Sequence, residues 1–418
     1  MLVAHVSDLH LGYSQFGLEE REEDVYATFN EAVDISIREG VELVILGGDI
    51  FHTPRPNGKA IITLANALKK LKEKQIPVAY VLGEHDISRM RDVPLAHVFS
   101  NLGLAKKLRL DEPFVVGDCA VYGADKERRS NIDALLERLH NIEKMTGNRE
   151  KRKRILVLHQ GLTDMNKFAG EINSTDLPAG FDYYAMGHYH DHIEKRYQNL
   201  GGALLVYPGS IELTPSEGIK EVDKGFVLVD MSGQEATTNW VTLSSRRPQF
   251  SMNIDYDRLT EGIDDIISKA SSFAKKPVVK VLVDGKNLDP KVIAANLRRL
   301  NESCLHYVWQ PADEQLSSSS LAFDERPADL DAELLRLAKD ALGSEEAANL
   351  AVRDLLPPAA GGNAGAVLDI VWDIFKKKRL SGDNDNSDAA LAAADDNNNN
   401  STPQNNEGKE EGGVVKGP

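Results

Sequence analysis

Five times between residues 2 and 192, an apolar run of strand length stops in a short loop of histidine, aspartate, glutamate and glycine. Leu2 to Ser7 leads into Asp8-Leu9-His10-Leu11-Gly12, and Val41 to Leu46 into Gly47-Gly48-Asp49-Ile50-Phe51-His52. Val78 to Leu82 leads into Gly83-Glu84-His85-Asp86, Ile155 to Leu158 into His159-Gln160-Gly161, and Tyr183 to Met186 into Gly187-His188-Tyr189-His190-Asp191-His192. Such runs read as buried strands of an α/β sheet, whose ligands gather beyond the carboxyl ends of the strands. Any one loop is a weak signal: Asp49 after two glycines reads equally well as a turn residue. Five in succession commit the chain to a sheet with one polar edge.

The intervening segments agree. Residues 19–39 predict a helix with acidic residues in its first turns, where the helix dipole favours them. Residues 59–74 place Ile61, Ile62, Leu64, Leu68 and Leu71 at helical spacing with lysines opposite. Short strands are expected at 114–116 and 120–122, a helix at 132–145, and three more strands near 204–207, 226–229 and 237–243.

Composition shifts at Ser244-Ser245-Arg246-Arg247-Pro248, which reads as a linker. Beyond it, strands at 249–254, 278–283 and 306–310 alternate with helices at 261–273 and 290–300, a compact second domain ending before the break at Ser317 to Ser320. Two apolar helices follow, one through Leu330, Leu334, Leu335, Leu337, Ala338 and Leu342, the other through Val367, Leu368, Ile370, Val371, Ile374 and Phe375. They read as a docking element or as helices packed back on their own chain. Past Leu380 the Asn-, Asp-, Gly- and Glu-rich tail has no apolar periodicity and is expected to be disordered.

With 49 Lys and Arg against 65 Asp and Glu in 418 residues, the formal charge of −16 argues against a protein that holds nucleic acid mainly through a basic surface. Bound divalent metals reverse the field locally, so a nuclease stays open. The two cysteines, Cys119 and Cys304, form neither a disulfide framework nor a zinc motif, and no apolar run reaches membrane-spanning length. A cytoplasmic, nucleoid-associated protein without membrane contact is the expectation.

Asp8, His10, Asp49, Glu84, His85, His159, His188 and His190 can all meet at one sheet edge. Mixed imidazole and carboxylate ligands suit manganese, iron or zinc. So many ligands favour two metals sharing one carboxylate, ~3.5 to 4 Å apart, an arrangement that clamps the attacking and leaving oxygens of a phosphoester displacement. Asp49 is the chosen bridge. His5, His97, His140 and His306 read as packed core residues.

Asp8-x-His10, Gly47-Gly48-Asp49, Gly83-x-His85-Asp86, His159-Gln160 and Gly187-His188-x-His190 resemble, in order, the five motifs of the calcineurin-like metallophosphoesterases. Ser7 to Gly12, Gly48 to His52, Gly187 to His190 and Tyr207-Pro208-Gly209-Ser210 resemble most the archaeal type of the double-strand-break-repair nucleases called SbcD in bacteria and meiotic-recombination-eleven in archaea and eukaryotes. The resemblance implies an α/β fold: a two-sheet αββα metallophosphoesterase sandwich with a small α+β cap domain and a C-terminal helix-loop-helix. The domains implied are 1–245 for the nuclease, 246–315 for the DNA cap, 328–380 for the helix-loop-helix and 381–418 for the disordered tail.

The same resemblance implies two manganese ions, one on Asp8, His10 and His190, the other on Glu84, His159 and His188, with Asp49 shared. His85 becomes the acid that protonates the leaving oxygen or steadies charge on the phosphate, and His52 touches the scissile phosphate. The nucleophile is a hydroxide made available by the metals. Glu84 departs from the family's usual asparagine; it either ligates with added charge or swings out and leaves a weaker second metal. His192 is either a supporting residue or a surface one.

The partners implied are double-stranded DNA ends and an SMC-like coiled-coil ATPase of the SbcC type, gripped by 328–380. The helix at 59–74 with Val93 to Leu102 is either a homodimer bundle or ordinary core, and Lys151 to Arg154 either touch phosphate or are simply solvated. The function expected is a manganese-dependent DNA exonuclease and endonuclease acting on broken ends. The competing readings are another calcineurin-like phosphodiesterase or phosphatase, against which the cap and helix-loop-helix speak, and a non-catalytic scaffold, against which the full ligand set speaks.

Overall fold

Alternation within single strands builds the layers. In β1 (Leu2–Val6), Val3 and His5 turn to one side while Ala4 and Val6 turn to the other. β2 (Leu43–Leu46) divides in the same way, with Leu43 and Ile45 against Val44 and Leu46. A strand buried on both faces reads as an unbroken apolar run, which is why these segments carry no polar alternation.

The computed structural model describes residues 1–88, 93–145, 152–167 and 170–312, then 335–336, 338–339, 341–356 and 371–372. They fall into two units, Met1–Asp324 and Glu325–Pro418.

In the first unit β1, β2, β3 (Val78–Tyr80) and β4 (Lys106–Lys107) run parallel, and β11 (Gly225–Asp230) and β12 (Thr237–Thr242) extend this sheet antiparallel beside β1. A second six-stranded sheet has the order β5 (Phe114–Val116), β6 (Cys119–Ala124), β7 (Lys153–His159), β8 (Tyr183–Gly187), β10 (Leu204–Tyr207) and β9 (Ile193–Arg196), with β6, β7, β8 and β10 parallel. The sheets bury Val3, Leu43, Ile45 and Val81 against Val121, Ile155, Val157 and Val206.

Helices cover the outer faces. α1 (Glu19–Arg38) and α2 (Gly58–Glu73) pack Phe29, Val33, Leu64 and Leu68 on the first sheet, beside the short α3 (Ala96–Asn101). α4 (Ile132–Met145) packs Leu135, Leu139 and Ile142 on the second. Each such fully buried side chain contributes roughly 1.5 to 3 kcal/mol relative to exposure. The αββα sandwich that the resemblance implies is therefore present.

The main apolar face of α2 is core, whereas Ile62 is 60% and Leu102 62% exposed. α3 falls within the expected bundle segment Val93 to Leu102, whereas β4 and β9 have no counterpart among the expected elements: β4 is two lysines, and β9 reads Ile-Glu-Lys-Arg, a charged sheet edge without apolar alternation.

A third sheet of parallel strands, β13 (Gln249–Asp255), β14 (Val278–Asp284) and β15 (His306–Pro311), is crossed by α5 (Leu259–Ser271) and α6 (Pro290–Leu297) around its own core of Ile254, Ile263, Ile266, Val281 and Ile293. It belongs to the same unit as the sandwich. Asp24 of α1 accepts from Arg247 Nε at 2.6 Å, Lys275 Nζ at 2.9 Å and Arg21 Nη1 at 2.7 Å, and Arg21 Nη2 lies 3.1 Å from Glu212 Oε1. The amides of Gln15 and Gln249 pair beside this cluster.

Within the second unit, Gly343 at φ +70° ends one helical segment, its N–H donating to Lys339 O. Ser344 then caps α7 (Glu345–Asn349), accepting from Ala347 N, and a wider helical turn continues over Leu350–Leu355. This second helix begins where no element was expected. Most of the proposed segment 328–380, and all of 381–418, lie outside the described residues.

Candidate metal centre

The parallel strands of both sheets deliver their carboxyl ends to one place. Asp8 and His10 follow β1, Asp49 and His52 follow β2, and Glu84 and His85 follow β3. His159 closes β7, and His188 and His190 follow β8. Five groups of three residues bring ligand atoms within 4.8 Å of one another, including Asp8, His10 and His190; Glu84, His159 and His188; and Asp8, Asp49 and His159. The two triads expected from the sequence are thus each assembled, and all nine proposed site residues, His52 and His85 included, belong to these groups.

The backbone bends hard to do this. Asp8, His10, Asp49 and His188 all have positive φ, at 53°, 45°, 48° and 102°, a region that costs a non-glycine residue of order 1–3 kcal/mol. Gly48, at φ +102°, faces His159, where a Cβ would lie 2.3 Å from Nδ1. At Gly83 a Cβ would lie 2.1 Å from Asp49 Oδ1, so only glycine lets the β2 and β3 loops meet.

Buried Asp86 ties those loops together. Its carboxylate accepts from the backbone N–H groups of Ile50 at 3.1 Å, Phe51 at 2.9 Å and Gly83 at 3.0 Å. Complete burial and the charge of Asp49 push its pKa up to about 7 despite these bonds.

Each inner ligand keeps one atom tied and one turned inward. Asp8 Oδ2 accepts from Ser7 Oγ at 2.6 Å and His188 N at 3.2 Å, leaving Oδ1. Asp49 Oδ1 accepts from His85 N at 2.9 Å, while Oδ2 lies 3.8 Å from His10 Nε2 and 3.5 Å from His159 Nε2. His159 Nδ1 donates to Gly47 O at 2.7 Å, which turns Nε2 toward Asp49, Glu84 Oε2 at 3.0 Å and Asp8 Oδ1 at 4.0 Å.

Asp8 Oδ1 and His159 Nε2 make no hydrogen bond and are shut off from water. Orphaned buried polar atoms of this kind are costly, and a cation lying between them would satisfy both. The donor set therefore fits divalent metal, and Asp49 Oδ2, near a histidine of each triad, has the position of a shared ligand.

The electrostatics of the metal-free chain agree. Burial pushes the His10 imidazole down to about 3, favouring the neutral, ligating form. His159 stays well above the ordinary histidine value: burial opposes its charge, but Asp49 and Glu84 outweigh burial. Burial alone raises Asp49, yet His159 brings it down to about 2. These two groups hold each other as an ion pair, and a bound metal would take the place of the His159 proton.

Beside the triads, His52 and His85 stack with centroids 5.3 Å apart, and Tyr13 lies against His52 at 4.7 Å. His85 Nδ1 donates to His52 O at 2.8 Å, so Nε2 is the atom left to exchange a proton.

Glu84 holds its expected place, 2.9 Å from His188 Nδ1, and does not swing out. His192 lies apart from the triads, bonded to Tyr207 O and stacked on Trp240 at 5.0 Å. His5 is core, bonded to Tyr183 OH at 3.0 Å. His140 corrects the core reading: it lies on the exposed side of α4. Sequence reasoning gave no role to Thr214 Oγ1, 2.7 Å from His190 Nδ1, nor to Lys126 and Glu171 beside Glu84. Thr214 to Glu217 was legible as a helix-capping pattern, but nothing in it points to His190.

A two-sheet sandwich whose strand ends assemble paired His and Asp triads defines a metallophosphoesterase, and the family model for calcineurin-like phosphoesterases matches residues 1–192. The curated relatives narrow this. The DNA double-strand break repair protein Mre11 of Sulfolobus acidocaldarius is 33% identical over 318 residues, covering 73% of this chain and 81% of that protein. Those of Sulfurisphaera tokodaii (32% identical, 72% and 77% covered) and Archaeoglobus fulgidus (26% identical, 86% of both) are similar over comparable or greater lengths. The chain belongs to the Mre11 family.

Proposed function

We propose that this chain is a manganese-dependent nuclease that processes double-stranded DNA ends. The observation that carries the reading is the convergence of the two triads on Asp49, with Asp8 Oδ1 and His159 Nε2 left without hydrogen bonds between them. Asp8, His10 and His190 hold one metal, Glu84, His159 and His188 the other, and Asp49 serves both. Bound there, divalent metals would supply Lewis-acid polarisation of the phosphate and a lowered pKa for water.

The remaining work falls to residues of the chain. His85, its Nδ1 proton fixed on His52 O, presents Nε2 to the leaving oxygen. His52, braced between Tyr13 and His85, contacts the scissile phosphate. The third sheet, pinned to α1 through Asp24, takes the role of a cap over DNA. The relatives are DNA double-strand break repair proteins, which supports DNA ends as substrate. The exposed Ile62, Val98 and Leu102 supply an apolar surface for a homodimer. The segment 328–380 takes the role of docking on a coiled-coil ATPase of the SbcC type.

The test uses purified protein with manganese on linear duplex DNA and on a small chromogenic phosphodiester, comparing wild type with Asp49→Ala and His85→Ala. Wild type is expected to degrade duplex ends and both variants to lose that activity. Duplex left intact even with the cognate ATPase and ATP present, or cut equally by both variants, sinks the nuclease reading. Cleavage of the chromogenic ester alone points to a phosphodiesterase of smaller substrates.

A further inference from the structure

The pocket around the second triad holds more negative charge than its ligands need, together with one buried cation that they do not use. Lys126 is only 7% exposed, and its Nζ lies 2.9 Å from Glu171 Oε1 and 3.9 Å from Glu84 Oε2. Its backbone N–H is held by Leu82 O at 2.8 Å, so the ammonium is fixed at the root of the loop that carries Glu84. Glu171 is fixed in turn: its Oε2 accepts from Gly161 N at 2.9 Å, and its Oε1 lies 3.9 Å from His188 Nε2. His188 therefore has a carboxylate on each side, Glu84 at Nδ1 and Glu171 at Nε2.

A histidine that ligates through one nitrogen is usually steadied by a carboxylate at the other. Glu171 stands in that place. Without a cation, Glu84 and Glu171 add two charges to a pocket that already contains Asp8 and Asp49. Glu171 is the buried member, its side chain 11% exposed against 39% for Glu84, and a buried carboxylate with no counter-charge is expensive.

We infer that Lys126 and Glu171 are positioning residues for the second metal: Glu171 orients His188, and Lys126 balances Glu84 and Glu171 so that the site binds its ion at an affinity that still allows exchange. The inference rests on the two-metal reading above and adds a charge pair, Glu84 with Lys126, whose members act as one unit. Removing the Lys126 charge leaves the carboxylates free to bind a divalent ion more tightly. Removing the Glu84 charge leaves the ammonium opposing that ion. Removing both returns the balance.

The experiment is calorimetric titration of the metal-free full chain with manganese, for wild type, Lys126→Met, Glu84→Gln, the double variant and Glu171→Gln. Lys126→Met is expected to tighten the weaker manganese step about tenfold, Glu84→Gln to weaken it about tenfold or more, and the double variant to return close to wild type. Glu171→Gln is expected to weaken the same step and to alter the spin-coupled dimanganese signal in electron paramagnetic resonance, since His188 loses its orientation. Lys126→Arg, which keeps the charge, controls for misfolding and is expected to stay within threefold of wild type. If wild type takes up two ions and Lys126→Met leaves the weaker step unchanged or weakens it, or the double variant stays as weak as Glu84→Gln, this inference is overturned while the two-metal reading stands. If wild type takes up fewer than two ions, the two-metal reading itself fails.

Discussion

His85→Gln is expected to lower kcat for phosphodiester hydrolysis by about 10²- to 10⁴-fold, the usual contribution of a positioned acid or base, while both metals stay bound. The separation follows from geometry. His85 reaches the triads through its backbone, whose N–H holds Asp49 Oδ1 at 2.9 Å, and that bond survives a side-chain change. Its imidazole is anchored instead on His52 O, with Nε2 left for proton transfer. Parallel measurement of kcat and bound manganese checks this. Loss of metal together with activity would make His85 a ligand rather than the acid, and unchanged kcat would remove it from the chemistry.

Asp24→Asn is expected to destabilise the first unit by about 3 to 5 kcal/mol, because breaking a buried ion cluster strands its remaining charges. Asp24 is shared by Arg247 and Lys275, and it also holds Arg21, itself completely buried. Burial alone pushes its pKa up, but hydrogen bonds from Arg247 and Lys275 and the charge of Arg21 hold it below the ordinary value of 3.8. A carboxyl lowered on folding contributes stability that is fully present above its unfolded pKa and is lost as pH falls through the folded one. The gap between wild type and Asp24→Asn in urea denaturation should therefore be constant near neutrality and shrink below about pH 4. A gap under 1 kcal/mol at pH 7, or one that widens in acid, would contradict the clamp.

What could be read from the sequence was what periodicity and spacing encode. Apolar runs long enough to be buried on both faces, such as Val41 to Leu46 and Ile155 to Leu158, found their places in the two sheets, and the polar loops after them found the centre. Elements without that signature escaped. β9 is a charged edge strand, and β4 is two lysines. His140 was misjudged because a histidine's type does not say which side of an amphipathic helix it occupies.

The supporting residues were the hardest to see. Asp86, Thr214, Glu171 and Lys126 act through atoms brought together across as many as 45 positions of sequence, as in the Lys126–Glu171 pair. Nothing local distinguishes them from the polar residues of any loop. Asp49 is the opposite case: two glycines at a strand end raised the possibility of a ligand, and its Oδ2 lies 3.8 Å from His10 and 3.5 Å from His159, where the proposed bridge would sit.

That bridge can be counted. Metal-free protein equilibrated with manganese, then dialysed and assayed for metal and protein, should retain two ions per wild-type chain and no more than one per Asp49→Ala chain. A wild-type chain that holds one ion or none, or an Asp49→Ala chain that keeps both, would contradict a dinuclear centre joined through Asp49.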